Sequence, residues 1–391
     1  MLRYFRYRRF SKLFSQTEKL LRNEIYRFQN DALKQLIQEG AKKSEVFKNK
    51  LERKGIKWYK FRGFAELESI SVDENPEVVS PEEYYKTRQV AMSAAFKRVL
   101  SWHKCENNKV FWITPNKNRL ILSGLTKNVE ILDFNNNIEE IAQLLDRTED
   151  FVLAARPAIL AQLALFLRQS PKFSIKPKLL VAYNHDITPG GENLLRDIFN
   201  VPIARLITDT HFGAILATCQ YDYYHLFEPL ACYEILDKRG LPVPSGRGRL
   251  VVTPLHTNKP QLIPYNTKIE IIANQNSVCA CGLTYRTVDS LSYSERPCLS
   301  GHNNQNLLIP LSEELHPNII GINYQQNFPG EVLITLIEYK TGKYTPLQYK
   351  EWFSNFWNNS INILIVVDNR PATLGDSSLS NHTITFEASY D

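Results

Sequence analysis

Residues 178–207 read KLLVAYNHDITPGGENLLRDIFNVPIARLI. Lys178-Leu-Leu-Val-Ala182 and Ala204-Arg-Leu-Ile207 are short apolar runs of strand length. Residues 191–199 between them carry apolar positions at helical spacing. A strand–helix–strand rhythm needs a crossover, so it predicts an α/β fold with a partly parallel sheet.

Working upstream, residues 157–169 form an apolar helix opened by Pro157, and 138–146 another helix. VFWIT, RLILSG and VEILD, from Lys109 to Asp133, read as short strands split by Asn- and Lys-rich turns. Ser80-Pro-Glu-Glu83 predicts a helix start, with the helix running to about Trp102. Residues 11–40 and 43–54 read as two helices, with Gly40 between them and Gly55 ending the second. Leu20, Leu21, Ile25, Phe28, Leu33, Leu36 and Ile37 lie on one face of the first.

Downstream of residue 230, CYEILD, RLVVTPL, QLIPY and KIEIIA suggest a β-barrel-like portion or curled sheet. The Ser-rich stretch 284–304 reads as a linker. After it NLLIPL, NIIGIN, EVLITLIEY, a helix near 346–357 and NILIVVD make a small α+β module. The expected organisation is a large domain 1–290, with a helical arm 1–62, an α/β core 63–229 and a β-rich part 230–290. A small C-terminal domain, 291–391, follows.

The 391 residues hold no run of 18 uncharged apolar residues, which argues against a transmembrane helix. Six Cys are too few for a disulfide scaffold, and the basic start lacks an apolar signal core, so a reducing cytoplasm is the expected compartment. Residues 1–62 hold eighteen Lys/Arg against six Asp/Glu, a net +12, whereas the rest of the chain is net −6. Such an arm reads first as a solvated amphipathic helical face, and its alternative role is docking on an acidic carrier protein or a pathway enzyme. No nucleic-acid motif accompanies the charge, so nucleic acid is not the expected partner.

Cys219 and His225 form Cys-x5-His, and Cys279-Ala-Cys281-Gly282 follows sixty residues later. Two pairs of soft ligands suit tetrahedral zinc, and four protein ligands make a closed, structural site. The alternative is three buried cysteines and a core histidine. Cys105, Cys232 and Cys298 have no partner at ligand spacing and read as packing residues.

Thr188-Pro-Gly-Gly-Glu192, the run from Leu206 to Cys219, His225, Tyr233-Glu-Ile-Leu236, the run from Gly246 to Leu255, Tyr265-Asn-Thr267 and Cys279-Ala-Cys-Gly282 occur in an order that resembles the adenylate-forming superfamily. The branch it resembles is the phenylacetate–CoA ligase and capsule-biosynthesis type. The resemblance implies a large α/β domain and a small mobile C-terminal domain. It also implies a two-step reaction, in which a carboxylate attacks ATP and a thiol or other nucleophile then displaces AMP. It implies a zinc held at Cys219, His225, Cys279 and Cys281. Gly190, Gly191, Glu192 and Tyr265 become cofactor-binding candidates, and Asp209, Thr210 and His211 catalytic ones.

The nucleotide-handling motifs depart from that pattern. The Gly-rich phosphate loop, expected near 112–130, reads Asn116-Lys-Asn-Arg119 and Ser123-Gly-Leu-Thr126. One Gly offers little of the close backbone approach that a phosphate cradle needs. In Tyr-Gly-x-Thr-Glu, Thr210 survives but His211 replaces the Glu that serves Mg²⁺, and an imidazole is a poor substitute for a hard carboxylate. In Arg-Tyr-x-Thr-Gly-Asp, Ile269 replaces the ribose-binding Asp, and in Pro-x-Thr-x-Gly-Lys, Asp376 replaces the catalytic Lys. These four losses argue against use of ATP and Mg²⁺. The expectation is a zinc-stabilised relative that has lost adenylation and binds a carboxylic acid, an acyl thioester or a partner. The other reading is an active or repurposed acyl-activating enzyme that uses the pocket around Asp209 and His211.

Overall fold

The structure, a computed structural model, describes residues 10, 12–67, 70, 81–114, 128–134, 137–184, 187–209, 212–255, 264–274, 279–293, 298–302, 305–310, 314–326, 328–368 and 382–386. Two compact units divide the chain. The first comprises 1–106, 120–127 and 206–294, and the second 107–119, 128–205 and 295–391. This division differs from the expected one, because residues 295–391 share a unit with 128–205.

The first unit opens with helices α1 (Arg22–Lys43), α2 (Glu45–Arg53) and α3 (Pro81–Trp102). Gly40 does not separate α1 from α2, contrary to expectation; it lies buried within α1 beside Ala41. The break is at Ser44, whose backbone is extended (φ −137°, ψ 108°) and whose hydroxyl accepts from Phe47 N at 3.2 Å. A side chain that satisfies an orphan amide stops one helix and starts the next. Gly55 ends α2 as expected, at φ +72°. Ile25, Leu33, Leu36 and Ile37 are buried, and the last three pack with Phe47, Leu51, Ile56, Phe61 and Leu67. Leu21 is 66% exposed, because it precedes the first turn of α1 and is not on the inward face.

The second unit contributes β1 (Lys109–Thr114), β2 (Val129–Asp133), α4 (Ile138–Asp146), β3 (Phe151–Ala155), α5 (Pro157–Gln169), β4 (Leu179–Tyr183) and α6 (Pro189–Phe199). The pairings β1–β2, β1–β3 and β3–β4 are parallel, so the sheet is partly parallel as expected. Every residue of β3 and β4 is buried, which is why parallel strands read as continuous apolar runs. β3 had no counterpart in the sequence reading.

β5 (Ile203–Asp209) leads into β6 (Gly213–Thr218), β7 (Tyr224–Leu226), β8 (Ala231–Leu236), β9 (Gly246–Pro254), β10 (Tyr265–Asn274) and β11 (Thr287–Tyr293). In the first unit these pair antiparallel in the order β5-β6-β7-β11-β10-β9-β8. β11 corrects the linker expected at 284–304, and the expected boundary at 290 falls inside it. Its Ser-rich sequence hides a strand with Thr287, Val288 and Leu291 buried and Asp289 and Ser290 exposed. Backbone pairing to β10 and β7, not side-chain hydrophobicity, places it.

The second unit resumes with β12 (Cys298–Ser300) paired to β13 (Asn306–Leu308). A separate sheet of β14 (Ile319–Gln326), β15 (Glu331–Glu338), β16 (Asn362–Val367) and β17 (His382–Phe386) has the order β16-β15-β14-β17. Helix α7 (Pro346–Phe356) buries Tyr349 and Phe353 in a core with Tyr324, Ile334, Leu336 and Trp357. Among the described residues no helix is long and apolar enough to cross a membrane.

Candidate metal centre

The β6–β7 hairpin pairs Ala217 with His225 and Thr218 with Tyr224, so Cys219 and His225 flank one tip. Within the tip Cys219 N donates to Tyr223 O and Asp222 N to Cys219 O, both at 3.0 Å. β11 pairs Thr287 with His225, which brings the preceding turn, with Cys279 and Cys281, alongside. That turn closes through Gly282 N to Cys279 O at 3.0 Å, with Gly282 at φ +79°. No atom lies within 4 Å of a Cβ built there, so conformation rather than space favours glycine.

The four ligand atoms of Cys219, His225, Cys279 and Cys281 all lie within 4.8 Å of one another. Cys219 Sγ is 3.7 Å from Cys279 Sγ, and Cys281 Sγ is 3.4 Å from His225 Nε2. Tetrahedral bonds of usual Zn–S and Zn–N length put sulfurs about 3.8 Å apart and sulfur and nitrogen about 3.5 Å apart. The donor set therefore fits a soft divalent cation. Cys219, His225 and Cys279 are buried and Cys281 is half-buried.

His225 Nδ1 lies 3.1 Å from Tyr285 O, a pure acceptor, so Nδ1 carries the proton and Nε2 presents its lone pair to the cluster. Leu283 N donates to Cys281 Sγ at 3.4 Å. The Trp102 ring meets His225 edge-on at 6.0 Å. Hydrogen bonding from the Cys281 thiol, helped by His225, holds the Cys219 thiol down to about 3. The same bond pushes Cys281 up, and burial pushes Cys279 up. A bound dication would make thiolates favourable at all three.

Other candidate residues fall into separate places. Asp209, at the end of β5, accepts from Phe212 N at 2.7 Å and from Tyr265 OH at 3.2 Å. The structure thus joins a catalytic candidate to a cofactor-binding one, and both side chains are engaged. Thr210 and His211 lie outside the described residues, as do Asn116–Arg119, Ser123–Thr126 and Pro371–Asp376. Ile269 is 2% exposed in β10, and Lys268, at the motif's glycine position, has φ +61°. Its left-handed backbone is the one a glycine would adopt.

Gly190 and Gly191 are buried in the first turn of α6, and Thr188 caps that turn, accepting from Gly191 N at 3.0 Å. A Cβ on Gly190 would meet Ile319 O at 2.5 Å, so this glycine lets α6 approach β14. Glu192 is bound by Arg196 at 2.6 Å and Arg205 at 2.7 Å. Sequence reasoning missed the buried Glu228, held by Arg22 and Arg286; three long-range charges carry no spacing signal.

No family model matches the chain, and no curated protein does. Solved structures do. A 2-hydroxyisobutyryl-CoA ligase in the postadenylation state with R3-HIB-AMP covers 95% of this chain and 91% of its own, at 11% identity and a TM-score of 0.74. The same ligase with 2-HIB-AMP gives 12% identity and a TM-score of 0.73, with the same coverage. In the thioesterification state, with 2-HIB-AMP and CoA, it gives 13% identity and a TM-score of 0.62, again over 95% of this chain and 91% of that one. Likeness at this identity establishes architecture: the chain has the fold of the adenylate-forming acyl-CoA ligases.

Proposed function

We propose that this chain is a zinc-stabilised, phenylacetate–CoA ligase-like pseudoenzyme. In this reading ATP-dependent adenylation has been lost, and the pocket is kept for a carboxylate or acyl thioester in a biosynthetic pathway. The carrying observation is Ile269. Where the resemblance calls for an Asp to bind ribose, a 2% exposed aliphatic side chain sits in β10 and has no polar atom to offer a hydroxyl. His211 and Asp376 support the same reading from the sequence. The zinc assignment is supported by the donor set and its spacing. The basic arm 1–62 is the surface on which an acidic carrier protein or pathway enzyme would dock, in a cytoplasmic setting.

Calorimetric titration of Mg·ATP into the purified protein tests this. The expected result is no saturable binding up to millimolar ATP. Saturable binding overturns the reading. It would favour the second one, an acyl-activating enzyme working around Asp209 and His211, which the match to CoA-ligase structures supports at the level of fold. Pyrophosphate release with a panel of carboxylic acids would then follow.

A further inference from the structure

We infer that Tyr285 couples the metal cluster to the docking of segment 14–22, so that metal occupancy governs how firmly that segment is held. This rests on the metal reading above. Three consecutive residues just beyond Cys281 turn toward the segment. Thr284 donates to Glu18 O from its backbone N at 3.3 Å and from its hydroxyl at 3.1 Å. Tyr285 OH lies 2.7 Å from Thr17 Oγ1 and 3.4 Å from Phe14 O. Arg286 Nε donates to Glu228 at 3.0 Å, and Glu228 also holds Arg22.

Tyr285, like Trp102, whose ring meets His225 and whose Nε1 donates to Glu18 Oε1 at 3.0 Å, has a contact on each side. The Tyr285 carbonyl accepts from His225 Nδ1, and its ring is buried, so its hydroxyl reaches the segment through the protein interior. The Thr17 hydroxyl donates to Leu13 O at 2.8 Å, which leaves the Tyr285 hydroxyl as donor in their pair. The buried Phe14 ring meets Phe227 edge-on at 5.8 Å, and Phe227 lies two residues beyond His225. Both strands of ligands therefore lead, within a few residues, to groups that grip the segment. A metal that ties 219, 225, 279 and 281 together stiffens that grip, and by linkage the docked segment holds the metal by the same factor.

The test uses the full chain, loaded with zinc or stripped by a chelator, and reads hydrogen exchange of residues 14–22, trypsin cleavage after Lys19 and Arg22, and the rate of zinc release. Stripping is expected to raise exchange at 14–22 by about tenfold or more, with 128–205 unchanged. Tyr285→Phe, which keeps the carbonyl and all four ligands, is expected to retain zinc yet to raise both exchange at 14–22 and zinc release by about tenfold. Thr17→Val, remote from the ligands, should do the same. Unchanged protection at 14–22 in the stripped protein, or unchanged rates in Tyr285→Phe, overturns the coupling while leaving the zinc reading intact. If stripping unfolds the whole first unit, the two point variants decide. A protein that binds no zinc overturns the zinc reading and the coupling with it.

Discussion

Glu228 is wholly shielded from water. Burial opposes its ionisation, but Arg286 and Arg22 overcome that and hold the carboxyl below the usual carboxylate range. Arg286 N adds a hydrogen bond at 3.0 Å, and Arg22 Nη2 donates to Oε1 at 2.6 Å. Removing the charge leaves the mostly buried Arg286 without its anion, while the half-exposed Arg22 keeps water, so Glu228→Gln should cost about 3 kcal/mol in denaturant unfolding. Because the folded-state pKa is depressed, this contribution is fully present above the unfolded carboxyl pKa. It is lost as pH falls through the lower folded value. The variant should therefore show a flatter acid limb than the wild type in thermal melts. Among the cysteines, Cys279→Ser and Cys281→Ser should lower bound zinc from about one per chain to near zero. Cys232→Ser, whose sulfur faces Gln29 O at 3.9 Å, should leave metal content unchanged. Elemental analysis of the purified variants separates the two outcomes.

At the scale of elements, two glycines fail for different reasons when substituted. Gly190 lets α6 approach the β14 backbone, and Thr188, which caps α6, also donates to Ile320 O at 2.7 Å. Gly190→Ala drives a methyl into a carbonyl, so it should destabilise by about 1–3 kcal/mol, read from the urea midpoint. Gly282 has open space but a left-handed backbone. Gly282→Val should weaken zinc retention, whereas Gly282→Asn, which tolerates φ > 0, should largely keep it.

At the scale of the whole chain, the Cys219/His225/Cys279/Cys281 cluster and the Glu228 cluster lie in the first unit, while the parallel strands and the C-terminal sheet supply the cores of the second. Metal removal should therefore act on one unit. Scanning calorimetry with chelator should split unfolding into an early, metal-dependent transition and a later one that does not move, and a single transition shifted as one body would contradict this.

Local spacing and caps were enough to mark the strands at 178–182 and 204–207, helices α3 to α6, and the Cys219/His225 and Cys279/Cys281 pairs as metal candidates, because each of these features is written in neighbouring residues. Only the tertiary structure decided the rest. β11 exists because β7 and β10 offer it backbone partners, although its Ser-rich sequence resembles a loop. Ser44 rather than Gly40 ends α1, since a cap depends on a side chain meeting an amide while a buried glycine is free to remain helical. Gly190, quoted as part of a motif, is a contact with a strand some 130 residues on. Asp209 and Tyr265, 56 residues apart, are joined by one hydrogen bond. Spacing along a chain reports which faces are apolar, but partners brought together by pairing and packing leave no periodic trace.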